Sequence, residues 1–347
     1  MRAFLSLLLV LVLVAALAGG YAWHDYNTSM EQVVNLDALA DDSVNSGGEK
    51  IFEVKKGWSA KRTANELAAQ SIIEKPHWFY LHARLQPQLT GQAVSIKSGE
   101  FVLSDDLTAA GLFDLLVTGQ SKQYQHTIIE GNTFKQMIAR LADVSSLEVT
   151  GNADSAESVM SALGMDGVHP EGLFFSDTYL FPRDTSDIAF LKRAQESLDQ
   201  VLKEEWEGRA PDLPYKSPYE ALIMASIIEK ETAVAEERPL IAGVFVSRIH
   251  KGMRLQTDPT VIYGIGDSYD GNIRRKDLRT DTPYNTYTRG GLPPTPISMV
   301  GREAIHAALH PQNTTALYFV SKGDGTHYFS ETVEEHNSAV RKYQLKR

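Results

Sequence analysis

Ser217-Pro218-Tyr219-Glu220-Ala221-Leu222-Ile223-Met224-Ala225-Ser226-Ile227-Ile228-Glu229-Lys230-Glu231-Thr232 is the stretch around which the chain organises. It begins with the chemistry of a helix start. Ser217 can accept from a free backbone amide, Pro218 has no N–H to satisfy at the first helical position, and Glu220 stands three residues after the serine, as a capping box requires. Residues 221–228 are apolar on every side apart from Ser226, so the helix belongs in a domain core. Its last turn then brings two carboxylates to the edge of that core. Desolvation and the negative end of the helix dipole both favour the protonated form of a glutamate there, which prepares a general acid. Glu229 shares its face with Leu222, Ala225 and Ser226, where small side chains leave space, whereas Glu231 follows the bulkier Met224, Ile227 and Ile228. Helical geometry therefore favours Glu229 as the catalytic, substrate-facing residue. The competing reading is a helix end where either glutamate is solvated or paired with Lys230 or Arg238.

Few other chemistries fit the chain. It has 347 residues, enough for about two domains. Lys plus Arg number 34 against 44 Asp plus Glu, a net charge of −10 with no long basic run, so nucleic acid is a poor partner. With 0 cysteines, disulfides, thiol nucleophiles, iron-sulfur clusters and cysteine-ligated zinc are excluded. His306 and His310 have i, i+4 spacing but no His-Glu-x-x-His frame, and Pro311 follows, so a structural role at a helix end is expected rather than a metal. Gly264-x-Gly266 lacks its third glycine, Tyr269 standing in that place, and neither a Walker loop nor a Gly-x-Ser-x-Gly elbow is present. No cofactor is expected.

At the N-terminus, Ala3 to Trp23 is a run of 21 uncharged residues, long enough as a helix to span a bilayer. Arg2 precedes it, while residues 25–49 carry Asp25, Glu31, Asp37, Asp41, Asp42 and Glu49 with no Lys or Arg. The positive-inside rule then places the N-terminus in the cytoplasm and the body outside the cytoplasmic membrane. Ala16-Leu17-Ala18 before Gly19 resembles a signal-peptide cleavage site, but the apolar run exceeds a typical h-region and ends in the interfacial residues Tyr21 and Trp23. An uncleaved anchor over residues 1–24 is expected.

Residues 25–50 are polar, end near Ser46-Gly47-Gly48 and read as a flexible linker. The fold class expected beyond it is α+β in two parts. Residues 51–120 read as strand (51–54), helix (60–70), helix (from Pro76 to about Leu85) and strand (99–103), followed by a helix closing at Gly119. This βααβ order resembles the LysM modules that bind N-acetylglucosamine polymers; a small packing unit without ligand fits the order equally. Residues 121–347 form the larger α+β catalytic domain. A strand is expected at 126–129 and helices at 133–141, 187–206, 218–232, 239–251, 301–309 and 331–344. A hairpin is expected around Gly323-Asp324-Gly325.

Four separated segments resemble one family. Ala225-Ser226-Ile227-Ile228-Glu229-Lys230-Glu231-Thr232, Leu255-Gln256-Thr257-Asp258-Pro259-Thr260-Val261-Ile262-Tyr263-Gly264, Tyr284-Asn285-Thr286-Tyr287 with Gly291-Leu292-Pro293-Pro294, and Glu171-Gly172-Leu173-Phe174 with Asp177-Thr178-Tyr179 are similar to motifs of the YceG-like endolytic murein transglycosylases. Thr295 departs from the glycine expected after Pro293-Pro294. The resemblance implies a bacterial inner-membrane lytic transglycosylase. Such an enzyme cuts internal MurNAc-GlcNAc bonds of nascent peptidoglycan to 1,6-anhydroMurNAc ends, limiting strand elongation, with Glu229 as acid and base and no metal or cofactor. Gln256, Asp258, Tyr284, Asn285 and Tyr287, with Glu171, are the expected substrate-binding residues, although loop packing and turn or cap roles fit some of them equally. Peptidoglycan glycan strands are the expected partner, with peptidoglycan synthases (penicillin-binding proteins) as a candidate second class.

Overall fold

A computed structural model describes residues 2–37, 48–91, 94–151, 153 and 155–345. The chain is mixed α and β and divides into two compact units, one of residues 1–124 and 182–184, the other of residues 125–181 and 185–347.

In the first unit, helix α1 (Arg2–Glu31) is 30 residues long, and from Phe4 onward it is long and apolar enough to cross a membrane. Its C-terminal turns are not a free tether. Asp25 accepts from Lys75 Nζ at 2.5 Å and from Trp78 Nε1 at 2.9 Å, and the Tyr26 hydroxyl is 2.6 Å from His82 Nδ1. Met30, Val34 and Leu36 are buried with Phe52, Phe101, Leu112 and Phe113. Val34 N–H donates to the Leu107 carbonyl at 2.9 Å and Asn35 N–H to that of Ile72 at 3.0 Å. The linker expected over residues 25–50 is therefore corrected for 25–37: apolar residues spaced among the polar ones complete a core. Residues 38–47 lie outside the described residues.

The expected strand, helix, helix, strand order is present as β1 (Lys50–Val54), α2 (Ala60–Ala69), α3 (Pro76–Thr90) and β2 (Gly99–Leu103). The strands are antiparallel, with Phe52 opposite Phe101, and α4 (Ala109–Thr118) follows. Helix α3 outruns its expected end, continuing through Pro87 to Gly91, whose φ of +71° suits a glycine C-cap.

The second unit begins with β3 (Gln123–Thr127, whose first two residues fall in the first unit), α5 (Phe134–Ala142), β4 (Leu147–Glu148), α6 (Ala156–Ala162), β5 (Thr178–Pro182) and β6 (Thr185–Ser186). Strand β3 pairs with β5, and β4 runs parallel to β6. The helices α7 (Asp187–Glu207), α8 (Pro218–Glu231), α9 (Arg238–His250), α10 (Asp258–Ile265), α11 (Arg275–Arg279) and α12 (Arg302–Leu309) then build the core. An antiparallel hairpin of β7 (Tyr318–Ser321) and β8 (His327–Ser330) leads into α13 (Val333–Tyr343).

Helix α8 is the centre, as its sequence requires. Ala221 to Ile228 are all buried, with α7, α9, α10 and α12 packed on it. Ser217 accepts from Glu220 N–H, but the Glu220 carboxylate takes the Lys216 amide, one residue earlier than in a capping box. Ser226, the polar residue in the apolar run, accepts from Ile297 N–H at 3.0 Å and donates to the Ile223 carbonyl at 2.7 Å. Helix α10 is the main element beyond the expectation: Asp258-Pro259 opens a helix, proline sitting where no backbone donor is needed.

Candidate active site

Glu229 and Glu231 are two residues apart on one helix and so about 200° apart around it. Their environments differ accordingly. The Glu229 carboxylate accepts from Gly301 N–H at 3.1 Å, just before α12, and from Arg238 Nη2 at 3.5 Å. Arg238 also binds Glu303 and lies 3.9 Å from Glu130, and the side chains of Glu229 and Arg238 are only 5 % and 9 % exposed. Burial pushes the Glu229 carboxyl up, with the Gly301 amide opposing. Both carboxylate oxygens are engaged in clamping α8 to α9 and α12, at the residue the sequence led us to expect facing a substrate. Small neighbours left room for a protein contact.

Glu231 opens on a cleft of about 470 Å³ that Gln256, Asp258 and Tyr287 also line. Burial, with the nearby Asp258 charge, pushes its carboxyl up to about 7, while the Thr257 hydroxyl, donating to its Oε1, and the His327 and Arg248 charges pull the other way. The Thr257 N–H donates to Thr286 Oγ1 at 3.1 Å, and that oxygen lies 2.8 Å from Thr260 Oγ1. Gln256 N–H donates to the Thr286 carbonyl at 3.2 Å. Two of the sequence segments are thereby sewn together beneath Glu231. At Gln256 the chain adopts φ +50°, a left-handed conformation costly for a side-chain-bearing residue. Gln256 is exposed there while Thr257, next along, is buried. Asp258, the first residue of α10, accepts from the Tyr287 hydroxyl at 2.6 Å.

The remaining expected binding residues do not line this cleft. Glu171 is buried and accepts from Phe134 N–H at 2.9 Å and the Tyr263 hydroxyl at 3.0 Å; burial pushes its carboxyl up to about 7. The Tyr284 ring meets that of Tyr263 edge-on at 4.7 Å, and its hydroxyl lies 2.9 Å from Thr295 Oγ1. Asn285 Nδ2 donates to the carbonyls of Asp277, Leu278 and Thr280, and its Oδ1 accepts from Tyr287 N–H. These bonds make it a clasp of its own loop, with its Nδ2 hydrogens held by backbone carbonyls.

Sequence reasoning missed Arg248, Tyr318 and His327 on the cleft wall. Arg248 is buried, donates from Nε to the Leu317 carbonyl at 2.7 Å, and stands 5.3 Å from the Tyr318 ring. No spacing motif marks them. The one signal was polar residues inside otherwise apolar helix and hairpin patterns.

Elsewhere, ligand atoms of Glu205, His306 and His310 lie within 4.8 Å of one another, a geometry that could hold a cation. Arg302 Nη1 donates to that same Glu205 carboxylate at 3.0 Å, and His306 Nδ1 is 2.7 Å from it, so the group is ion-paired at a helix end. None of it lines the Glu231 cleft.

What the cleft offers is a buried acid near neutrality, a carboxylate, an amide and tyrosine rings, the hydrogen-bonding and stacking surfaces a sugar chain uses. The YceG-like family profile matches residues 52–342. An endolytic murein transglycosylase of Bacillus subtilis is 31 % identical over 92 % of this chain and 89 % of its own length. One of Streptococcus pneumoniae (strain D39) is 24 % identical over 98 % of this chain, which spans 64 % of that longer protein. The crystal structure of a yceG-like protein from Listeria monocytogenes superposes with a TM-score of 0.51 at 29 % identity, covering 84 % of this chain and 99 % of that one. The chain belongs to the YceG-like family.

Proposed function

We propose that this protein is a membrane-anchored lytic transglycosylase that cuts internal MurNAc-GlcNAc bonds of peptidoglycan, with Glu231 as the acid. The observation that carries the reading is the Glu231 carboxyl, pushed up to about 7 on a cleft shared with Gln256, Asp258 and Tyr287. The names of the relatives support the substrate class. A carboxyl near neutrality holds its proton long enough to give it to the glycosidic oxygen and is still a competent carboxylate afterwards. As the C1–O bond breaks, the MurNAc C6 hydroxyl closes on C1 and loses its proton, leaving a 1,6-anhydro end without consuming water. Thr257 orients the acid, and Gln256, Asp258 and Tyr287 bind the sugars.

In this proposal α1 spans the inner membrane with its N-terminus in the cytoplasm. The cleft then works on nascent strands beside the synthases, so that cutting limits strand length. The first unit has its own polar cleft of about 530 Å³, lined by Trp58, Arg62, Glu66, Gln70, Glu100 and Arg183. Trp58 stacked under Arg62 at 5.1 Å gives it an aromatic platform for glycan, in keeping with a LysM-like role.

The test is digestion of purified sacculi by the full-length protein in oxygen-18 water. Released muropeptides with unlabelled 1,6-anhydro ends are expected; labelled reducing ends would establish hydrolysis, and no release would leave a wall-binding scaffold.

A further inference from the structure

Cleavage with ring closure moves two protons: one onto the leaving oxygen and one off the C6 hydroxyl. Glu231 supplies the first. We propose that His327 takes the second, with Glu237 as its positioning residue, an inference that rests on the transglycosylase reading above.

His327 opens β8, and Glu237 ends the short turn before α9. The Glu237 carboxylate grips the histidine twice: Oε1 accepts the His327 backbone N–H at 2.8 Å, and Oε2 lies 2.7 Å from Nδ1. The two side chains are only 10 % and 14 % exposed. A carboxylate can only accept here, so Nδ1 carries the proton in both charge states, and the neutral ring presents its lone pair at Nε2. Among the described residues no hydrogen bond engages Nε2. The ring lines the Glu231 cleft, and the Phe319 ring meets it at 89° and 5.4 Å, fixing its plane. A histidine oriented by a buried carboxylate, on the wall of a cleft that also holds an acid, is the arrangement that proton abstraction from a hydroxyl requires.

The charged groups around the cleft are compatible with this division of labour. Glu231 and Asp258 line the same cleft from α8 and α10, Arg248 from α9, Tyr318 from β7 and His336 from α13, with Tyr287 bonded to Asp258. Asp258 is the competing base, with its Oδ1 accepting from the Tyr287 hydroxyl and its Oδ2 open among the described residues, so Asp258→Asn with undiminished kcat is the companion result expected here. The step balances. The Glu231 proton goes to the oxygen leaving C1, the C6 oxygen forms its bond to C1, and the C6 hydroxyl proton goes to His327 Nε2. Proton return from the imidazolium to the Glu231 carboxylate resets the site, with no oxidant, reductant or water consumed.

The experiment measures kcat and KM for full-length wild type, Glu231→Gln, His327→Gln, Glu237→Gln and Glu237→Asp on linear glycan strands, with circular dichroism as a folding control. His327→Gln should lower kcat by about 100-fold or more and change KM by less than about threefold. Glu237→Gln should lower kcat by about tenfold with KM likewise held, and Glu237→Asp, which restores a carboxylate partner for Nδ1, should recover part of that loss. Wild-type kcat in folded His327→Gln would overturn the inference while leaving an inactive Glu231→Gln, and so the transglycosylase reading, in place. An active Glu231→Gln would instead overturn that reading. Should His327→Gln not fold, wild-type kcat in Glu237→Gln overturns the inference by itself.

Discussion

Glu229 accepts the backbone N–H of Gly301, 72 residues further along the chain, at 3.1 Å. That bond ties the last turn of α8 to the residue before α12, and Arg238 closes the same carboxylate from α9. One helix turn thus carries a carboxylate used for construction and, two residues on, one left at the edge of a cleft. Division of this kind keeps Glu231 rigid, since the backbone bearing it is fixed by its neighbour.

The two glutamates should therefore separate in a mutational test. Glu231→Gln is expected to lower kcat by at least about 100-fold with an unchanged melting temperature, because the amide fills the same space but donates no acid proton. Glu229→Gln leaves the Gly301 amide an acceptor but deprives buried Arg238 of a charge, and should cost about 1 to 3 kcal/mol of stability with kcat within about tenfold. Thermal unfolding and muropeptide release, measured on the same preparations, check both. A stable but inactive Glu229→Gln beside an active Glu231→Gln would reverse the assignment.

Glu171 gives stability a pH dependence. Its carboxyl is pushed from 4.5 up to about 7, burial outweighing the Phe134 and Tyr263 hydrogen bonds. A folded value above the unfolded one means the native state binds more protons. Its contribution is full below pH 4.5 and is lost as pH rises through 7, by about 3 kcal/mol in all. Glu171→Gln cannot titrate; its one amide oxygen can accept from Phe134 N–H while its NH2 takes the place of the oxygen that met the Tyr263 hydroxyl, which can turn to accept. Denaturant unfolding at pH 5 and pH 8 should show a smaller difference in the variant than in the wild type; equal differences would refute it.

How far the sequence could be read follows from where the information lies. Helix α8 was legible because cap, proline and apolar run all sit within one segment and agree. The direction of its two carboxylates was not, since it depends on Gly301 and Thr257, partners remote in sequence. The bonds of Asn285 were hidden for the same reason: a polar loop residue shows its hydrogen-bonding capacity in the sequence but not that the Asp277, Leu278 and Thr280 carbonyls take its Nδ2. Met30, Val34 and Leu36 were hidden among acids and amides, their core partners lying beyond residue 50.

Those three residues predict where the first unit can be cut. Burying an aliphatic side chain contributes about 1.5 to 3 kcal/mol, so removing all three costs on the order of 5 kcal/mol, comparable to the whole stability of a small domain. A chain beginning at Glu49 should show an early, broad unfolding transition and fast amide exchange in β1, β2 and α4. One beginning at Trp23, which retains the Asp25 bonds to Lys75 and Trp78, should not. Equal exchange in the two would place the segment outside the folding unit.

Thr257 tests whether the acid is tuned as well as positioned. Its hydroxyl donates to Glu231 Oε1 and stabilises the ionised form, opposing the burial that pushes the carboxyl up. Thr257→Val keeps the shape and removes the donor, so the Glu231 value should rise further. The acid must be protonated to act, and the alkaline limb of kcat/KM follows its ionisation in the free enzyme. A hydrogen bond to a charged group is worth about 1.5 to 3 kcal/mol, which predicts a move of that limb to higher pH by about one unit or more. kcat on the plateau should fall, because the carboxyl is less firmly oriented. An alkaline limb that stays in place in Thr257→Val, while Glu231→Gln is inactive, would mean that another group sets the limb and that the Thr257 hydroxyl only packs.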